Sequence, residues 1–501
     1  NQLEIFGPNA FFDVFYFDWF EIESNQLFYA KSDAIDFNFP ETGAKQQFMV
    51  NGFSTETIAA YDISIGNKPV LLTGLSIQSD AEDLFDVKFE DTIDSDMRYW
   101  VSTMSNLLSS NAIIKDIPSD LSNESNEADY LMITHELFEN STELNDLMNL
   151  RSSQGLQVKK VNVQDIYDEF NHGFPDAAAI KNFLEYTYYQ WTKAPSVVLL
   201  VGDGHYNPKN YSPGKEGFGR TSFIPPYLSM VDPIIGETAS DNRYVTFVGE
   251  DNLPDMLIGR LAVNSNEEVS AFINKIVEYE GSIIDGDWNL SVTLAADNPD
   301  GSGNFQHSSE YLRSCCIHDY YQQDRIYLGI THSTADLAKS ALITSINGGK
   351  FLINYIGHGA YSEWAGWDSN PDLSGSILKA SDVAGFTNHG KYPIVLAMSC
   401  AEGMFHFPHP LGSYQESMAE VITKASSKGA VASWSPAGWG LATGHDVLDQ
   451  GFVRAALRNR VRTLSQATTA GLVKLWSTGD FLDLIDTYMI FGDPALVLRH
   501  G

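Results

Sequence analysis

Positive charge is scarce in this chain. Its 501 residues carry 31 Lys and Arg against 65 Asp and Glu, a formal net charge of −34. Such a surface repels phosphate backbones and anionic lipid, so nucleic acid and membrane headgroups are discounted as partners. Cysteine is rarer still, with only Cys315, Cys316 and Cys400. An odd count leaves at least one thiol unpaired within the chain. Adjacent Cys315 and Cys316 fit ordinary disulfide geometry poorly, and no CxxC spacing offers a zinc site. No apolar run approaches the length of a membrane span. No basic segment followed by an apolar one opens the sequence, so no uncleaved signal peptide is expected in it. The surplus carboxylates are mostly a solubilising surface, although calcium, a hard cation that takes oxygen ligands, suits some of them.

What is present points to packed domains. Hydrophobic residues make up 43% and aromatics 12% of the chain, and 501 residues exceed one ordinary core, so two or three domains are expected. The first stretch, 1–118, is rich in aromatics, notably over 11–20. It contains short alternating runs such as 46–50 and 68–73 between Gly, Asn and Ser turns. Many short strands without helices imply a β-sandwich-like domain. The polar run 119–129 reads as a linker. Beyond it the period changes. Strands are expected over 129–134, 196–201 and 256–260, and helices over 143–155, 176–193 and 267–280, with Asp176 as an N-cap. A second α/β unit has strands over 291–296, 350–356, 392–398 and 429–434. The fold class is therefore α/β, with two parallel-sheet α/β/α subdomains, 129–285 and 286–501, behind the β-rich domain.

Two of these apolar runs end in chemistry. Gly357-His358-Gly359 follows 350–356, and Ser399-Cys400-Ala401 follows 392–398. Short apolar runs closed by Gly and polar residues read as buried parallel strands. Ligand chemistry collects at the carboxyl ends of such strands. A lone cysteine is usually a small buried hydrophobe, and a histidine in a turn often serves local hydrogen bonds. Delivered to one rim, the pair instead makes a thiol nucleophile and its proton acceptor. The N–H groups of Gly359 and Cys400 are then placed to hold an oxyanion.

These motifs, together with 198–204, Ile258-Gly259-Arg260, Asn354-Tyr355-Ile356, Gly403 and Phe491-Gly492-Asp493-Pro494-Ala495-Leu496, resemble the gingipain family of cysteine peptidases over about 129–500. The resemblance implies a caspase-like fold and a secreted or cell-surface cysteine endopeptidase. It would act on protein or peptide substrates through a thioacyl-enzyme, with no cofactor in catalysis. Cys400 aligns with the nucleophile and His358 with the general acid/base. Asp297 falls where an acidic residue orients the histidine, and Trp439 where a tryptophan covers the substrate's P1 side chain. Arginine-specific members carry an Asp where this chain has Asn304, which implies weak or absent arginine preference unless Asp300 substitutes. Relatives bind structural calcium, for which Asp203 and Asp241 are the candidate ligands. Two other readings share these residues: a transpeptidase like the family's type IX secretion sortase, and a non-catalytic scaffold that kept the fold.

Overall fold

The computed structural model describes residues 26–66, 68–79, 83–109, 115, 117–208, 221–281, 286–366, 370–407 and 416–500. The aromatic run 11–20 lies outside them. The chain divides into two compact units, 1–116 and 117–501.

The first unit is all β. One antiparallel sheet orders the strands Ala34–Phe39, Met97–Thr103, Ile58–Asp62 and Val70–Leu71; the other orders Lys45–Phe53, Phe85–Thr92 and Ser76–Ser79. Alternation explains the pairing. Lys45–Phe53 buries Phe48 and Val50 and turns Gln47 and Met49 outward. Phe48 stacks on Phe89 at 5.1 Å and meets Tyr99 of the other sheet at 5.2 Å, so one aromatic core joins the two layers.

The second unit is built on one ten-stranded sheet. Its order is Gln322–Tyr327, Ser291–Ala296, Leu352–Ile356, Ile394–Met398, Ala432–Pro436, Tyr488–Phe491, Leu257–Leu261, Val197–Val201, Tyr130–Thr134, Val158–Asn162. The strands from Gln322–Tyr327 to Ala432–Pro436 are mutually parallel, and so are those from Tyr488–Phe491 to Val158–Asn162. The two blocks meet antiparallel where Ala432–Pro436 pairs with Tyr488–Phe491. The central strands are buried at every residue, as their largely apolar runs required. Helices pack on both faces and close two large apolar clusters, one holding Leu294, Leu352 and Trp434, the other Ile353, Tyr355 and Val395.

Local chemistry sets the helix ends. Asp176 accepts the N–H of Ala178 and caps the helix Ala177–Gln190, as expected. Asp493, in the closing Gly-Asp-Pro motif, accepts from the Ala495 N–H and from the fully buried Arg151, which also grips Glu280. Removing one partner of such a buried pair costs about 3–5 kcal/mol.

Three expectations change. The run 119–129 is not a free tether. Leu121 is buried, its carbonyl accepts the Trp191 indole N–H, and Glu169 accepts the N–H groups of Leu121 and Ser122. The strand expected over 429–434 covers Ala432–Pro436, a few residues later. Gly429 stands in a left-handed turn (φ +79°), where an added Cβ would collide with the Ile422 carbonyl oxygen. Finally, Cys315 and Cys316, at the end of the helix Phe305–Cys316, are joined as a disulfide, which leaves Cys400 as the free thiol.

Candidate active site

The strands Leu352–Ile356 and Ile394–Met398 are parallel neighbours, with Ile356 opposite Met398. His358 and Cys400 each stand two residues beyond that pair, at the same end of the sheet. The Gly357 N–H still reaches the Met398 carbonyl at 3.2 Å, so the two turns leave the sheet in step. Glycine is required between them. A Cβ on Gly359 would lie 2.6 Å from Ser399 Oγ and 3.0 Å from the Cys400 carbonyl oxygen. The histidine turn therefore rests directly on the cysteine turn.

Two acids attend the histidine, in different ways. His358 Nε2 lies 2.7 Å from Asp300 Oδ2, with Phe305 edge-on to the ring at 5.3 Å. Asp297, expected to hold the imidazole, instead accepts the main-chain N–H of His358 at 3.3 Å and that of Asn298 at 2.8 Å. Burial pushes the Asp297 carboxyl up to about 6, against the pull of those amides and of the His358 charge. Burial also raises Asp300, but its bonds to His358 and to the Ser302 and Gly303 amides outweigh this and hold it below the usual range. Asn304 is exposed and caps the helix Phe305–Cys316 by accepting the His307 N–H at 3.1 Å.

The opposite wall follows Ala432–Pro436. Cys400 Sγ lies 3.6 Å from the Gly440 carbonyl oxygen, and the Ala401 N–H donates to Gly438. Trp439 is 44% exposed, and its N–H donates to buried Asp232, which also accepts from Ile234 and Ile235. Burial pushes the Cys400 thiol up, and the Asp232 charge adds to this. Tyr488 supports the cysteine strand from the neighbouring block by donating to the Ala397 carbonyl at 3.0 Å.

Several participants escaped the sequence reading. Glu402 is fully buried and accepts from Trp364, Ser399 and Ser435. Asn354, on the histidine strand, donates to buried Asp449 at 2.7 Å. Burial pushes the Asp449 carboxyl up to about 8 and Glu402 up to about 7. The available signal was a polar residue inside an apolar run, as Asn354 is.

The candidate calcium ligands are committed elsewhere. Both Asp241 oxygens receive the buried Arg260 guanidinium, at 2.6 and 3.0 Å. Asp203 accepts the Gly204 N–H and the Asn264 amide. Arg260 thus already supplies the positive charge at Asp241. Among the described residues no group of three or more His, Cys, Asp or Glu is placed to hold a metal.

The model of peptidase family C25 matches residues 123–499. Gingipain R2 of Porphyromonas gingivalis is 24% identical over 377 residues, 71% of this chain and 44% of that protein. Lys-gingipain of the same organism is 27% identical over 219 residues, 42% of this chain and 12% of that one. The chain thus spans less than half the length of these curated relatives. Among solved structures, the Arg-specific cysteine proteinase gingipain R aligns with a TM-score of 0.57 at 21% identity, over 77% of this chain and 81% of that one. The complex of the Porphyromonas gingivalis RgpB pro- and mature domains aligns with a TM-score of 0.58 at 20% identity, over 74% and 80%. At these identities the structural likeness is one of fold.

Proposed function

The chain belongs to peptidase family C25 and has its caspase-like α/β fold, and from that premise we propose that it is a cysteine endopeptidase acting through Cys400 and His358. The observation that carries this reading is the placement of both residues just past one register pair, with Gly359 packed against Ser399 and Cys400.

In the proposed cycle, His358 takes the Sγ proton as a peptide substrate enters, which frees the thiol from the Gly440 carbonyl. Asp300, at Nε2, holds the ring and stabilises the imidazolium. The thiolate attacks the scissile carbonyl carbon, and the N–H groups of Gly359 and Cys400 receive the oxyanion. Collapse breaks the C–N bond, and the leaving amine takes the proton from His358. Water, deprotonated by His358, then cleaves the thioester and restores the thiol.

Asn304 argues against arginine preference, because a neutral amide cannot neutralise a buried guanidinium. Trp439 is proposed to cover the P1 side chain. A secreted or cell-surface location is part of the same reading. Calcium, if bound, is proposed to act structurally at sites other than the Asp241–Arg260 pair.

Cleavage of a diverse peptide mixture under reducing conditions, read by mass spectrometry, tests the proposal. Wild type is expected to cut, and Cys400→Ala to lose all cutting. Equal products from both would sink it. A transpeptidase shares every one of these groups, and incorporation of an added amine into the new carboxyl ends would identify it instead.

A further inference from the structure

Glu402 lies two residues beyond Cys400 and is fully buried, and its bonded partners among the described residues are neutral donors. Its carboxylate gathers them from three elements. Trp364 Nε1 donates from the hairpin after His358, Ser399 Oγ from the cysteine turn at 3.0 Å, and Ser435 Oγ from the strand Ala432–Pro436 at 3.3 Å. We propose that Glu402 is a positioning residue that sets the spacing of Cys400 and His358 by clamping together the turns that carry them. This rests on the peptidase reading of the site.

The clamp reaches the histidine by short, rigid links. The Trp364 ring stacks flat on Tyr355, with centroids 4.4 Å apart and planes 4° from parallel. The Tyr355 hydroxyl donates to the His358 carbonyl at 2.5 Å, and the Ala365 N–H donates to the same oxygen at 2.9 Å. Gly359 pairs with Trp364 in the hairpin. On the other side, Ser399 is the residue against which Gly359 packs, so its hydroxyl and its Cβ serve the two turns at once.

Backbone conformation gives independent support. Ala401 (φ +61°) and Ala365 (φ +62°) both occupy the left-handed region that alanine avoids. One adjoins Glu402 and the other adjoins Trp364. Strained conformations persist where their surroundings over-determine them, and here they flank the two ends of a single hydrogen bond, one in the cysteine turn and one at the end of the hairpin strand Glu363–Trp364. A carboxylate suits this junction because it accepts at both oxygens, and an indole N–H can only donate. The amide of a glutamine at this position would keep one acceptor oxygen and bring an NH2 group toward existing donors.

Glu402→Gln, Ser399→Ala and Trp364→Phe test the inference, with thermal unfolding recorded for each. Two readouts are taken: steady-state cleavage, and the rate of Cys400 alkylation by iodoacetamide from pH 5 to 10. Glu402→Gln is expected to fold, to hold KM within about threefold, and to lose at least about tenfold in kcat. Its alkylation profile should shift from that of wild type, and the other two variants should move both readouts in the same direction. A folded Glu402→Gln with kcat and alkylation profile within about twofold of wild type overturns the inference and leaves the peptidase reading intact. Should wild type show no turnover, that reading fails, and the alkylation profiles alone decide the role of Glu402. Should Glu402→Gln fail to fold, Ser399→Ala and Trp364→Phe decide it.

Discussion

Asp300 and Asp297 divide a task that one acid was expected to perform. Asp300 meets the imidazole, and Asp297 fixes the main chain from which it springs. Gly359 shows how little slack this leaves. Gly359→Ala is expected to push the two turns apart and to cost about 100-fold in kcat/KM, with less effect on Tm than a core truncation; steady-state kinetics beside calorimetry would check both. Asn304 permits a sharper experiment. Asp caps helices as well as Asn does, so Asn304→Asp should leave Tm unchanged. Its second oxygen adds the charge that a guanidinium needs. Cleavage after arginine is expected to rise relative to other residues, as paired P1-Arg and P1-Ala substrates would show. At this scale, His358 and Cys400 were legible because each interrupts an apolar run at its end. Asp300 was harder to read. Asp297 and Asp300 share one loop, and only the loop's path decides which side chain reaches the ring.

At the scale of elements, the histidine strand and the helix Ala442–Val453 share a buried acid–amide pair. Among the described residues Asn354 Oδ1 and Asp449 Oδ2 both lack partners, and a proton on Asp449 would supply the donor that Asn354 lacks. With the folded pKa raised from 3.8 to about 8, the native state holds a proton that the unfolded chain releases. The contribution of this group to stability is therefore fully present below about pH 4. It is lost as pH rises toward 8, by up to about 1.4 kcal/mol per pH unit. Asp449→Asn keeps the shape and has nothing to ionise. Its Tm relative to wild type should climb steadily between about pH 5 and 8.5, and a difference independent of pH would refute the account. The left-handed alanines cost about 1 kcal/mol each, a strain that glycine would relieve. Buried strands such as Val197–Val201 and Leu352–Ile356 were legible within two residues, because a sheet covered on both faces favours apolar runs. The helices Phe305–Cys316 and Ala335–Gly348 were not. Their polar faces dilute the apolar stripe, and their caps, Asn304 and Thr334, resemble ordinary turn residues.

For the whole molecule, every strand of the large sheet lies within 117–501, and that unit has its own cores. Residues 117–501 made alone are expected to unfold cooperatively with a near-ultraviolet circular dichroism signal of packed aromatics; a broad, non-cooperative melt would show that the β-rich unit is needed for folding. The parallel alternation of both halves could be read from period and composition. Their opposed directions could not, because strand direction within a sheet is set by connections and not by the residues that fill it.

That opposition gives the strand Tyr488–Phe491 an unusual office. It alone lies between Ala432–Pro436 and Leu257–Leu261, and it is the last strand of the sheet to leave a ribosome. By then Cys400 and His358 have long been translated. Until it arrives, the half-sheet that carries them has an open flank, and the Ala397 carbonyl lacks its tyrosine. A chain that ends before the seam therefore carries Cys400 and His358 on a half-sheet whose flank nothing closes.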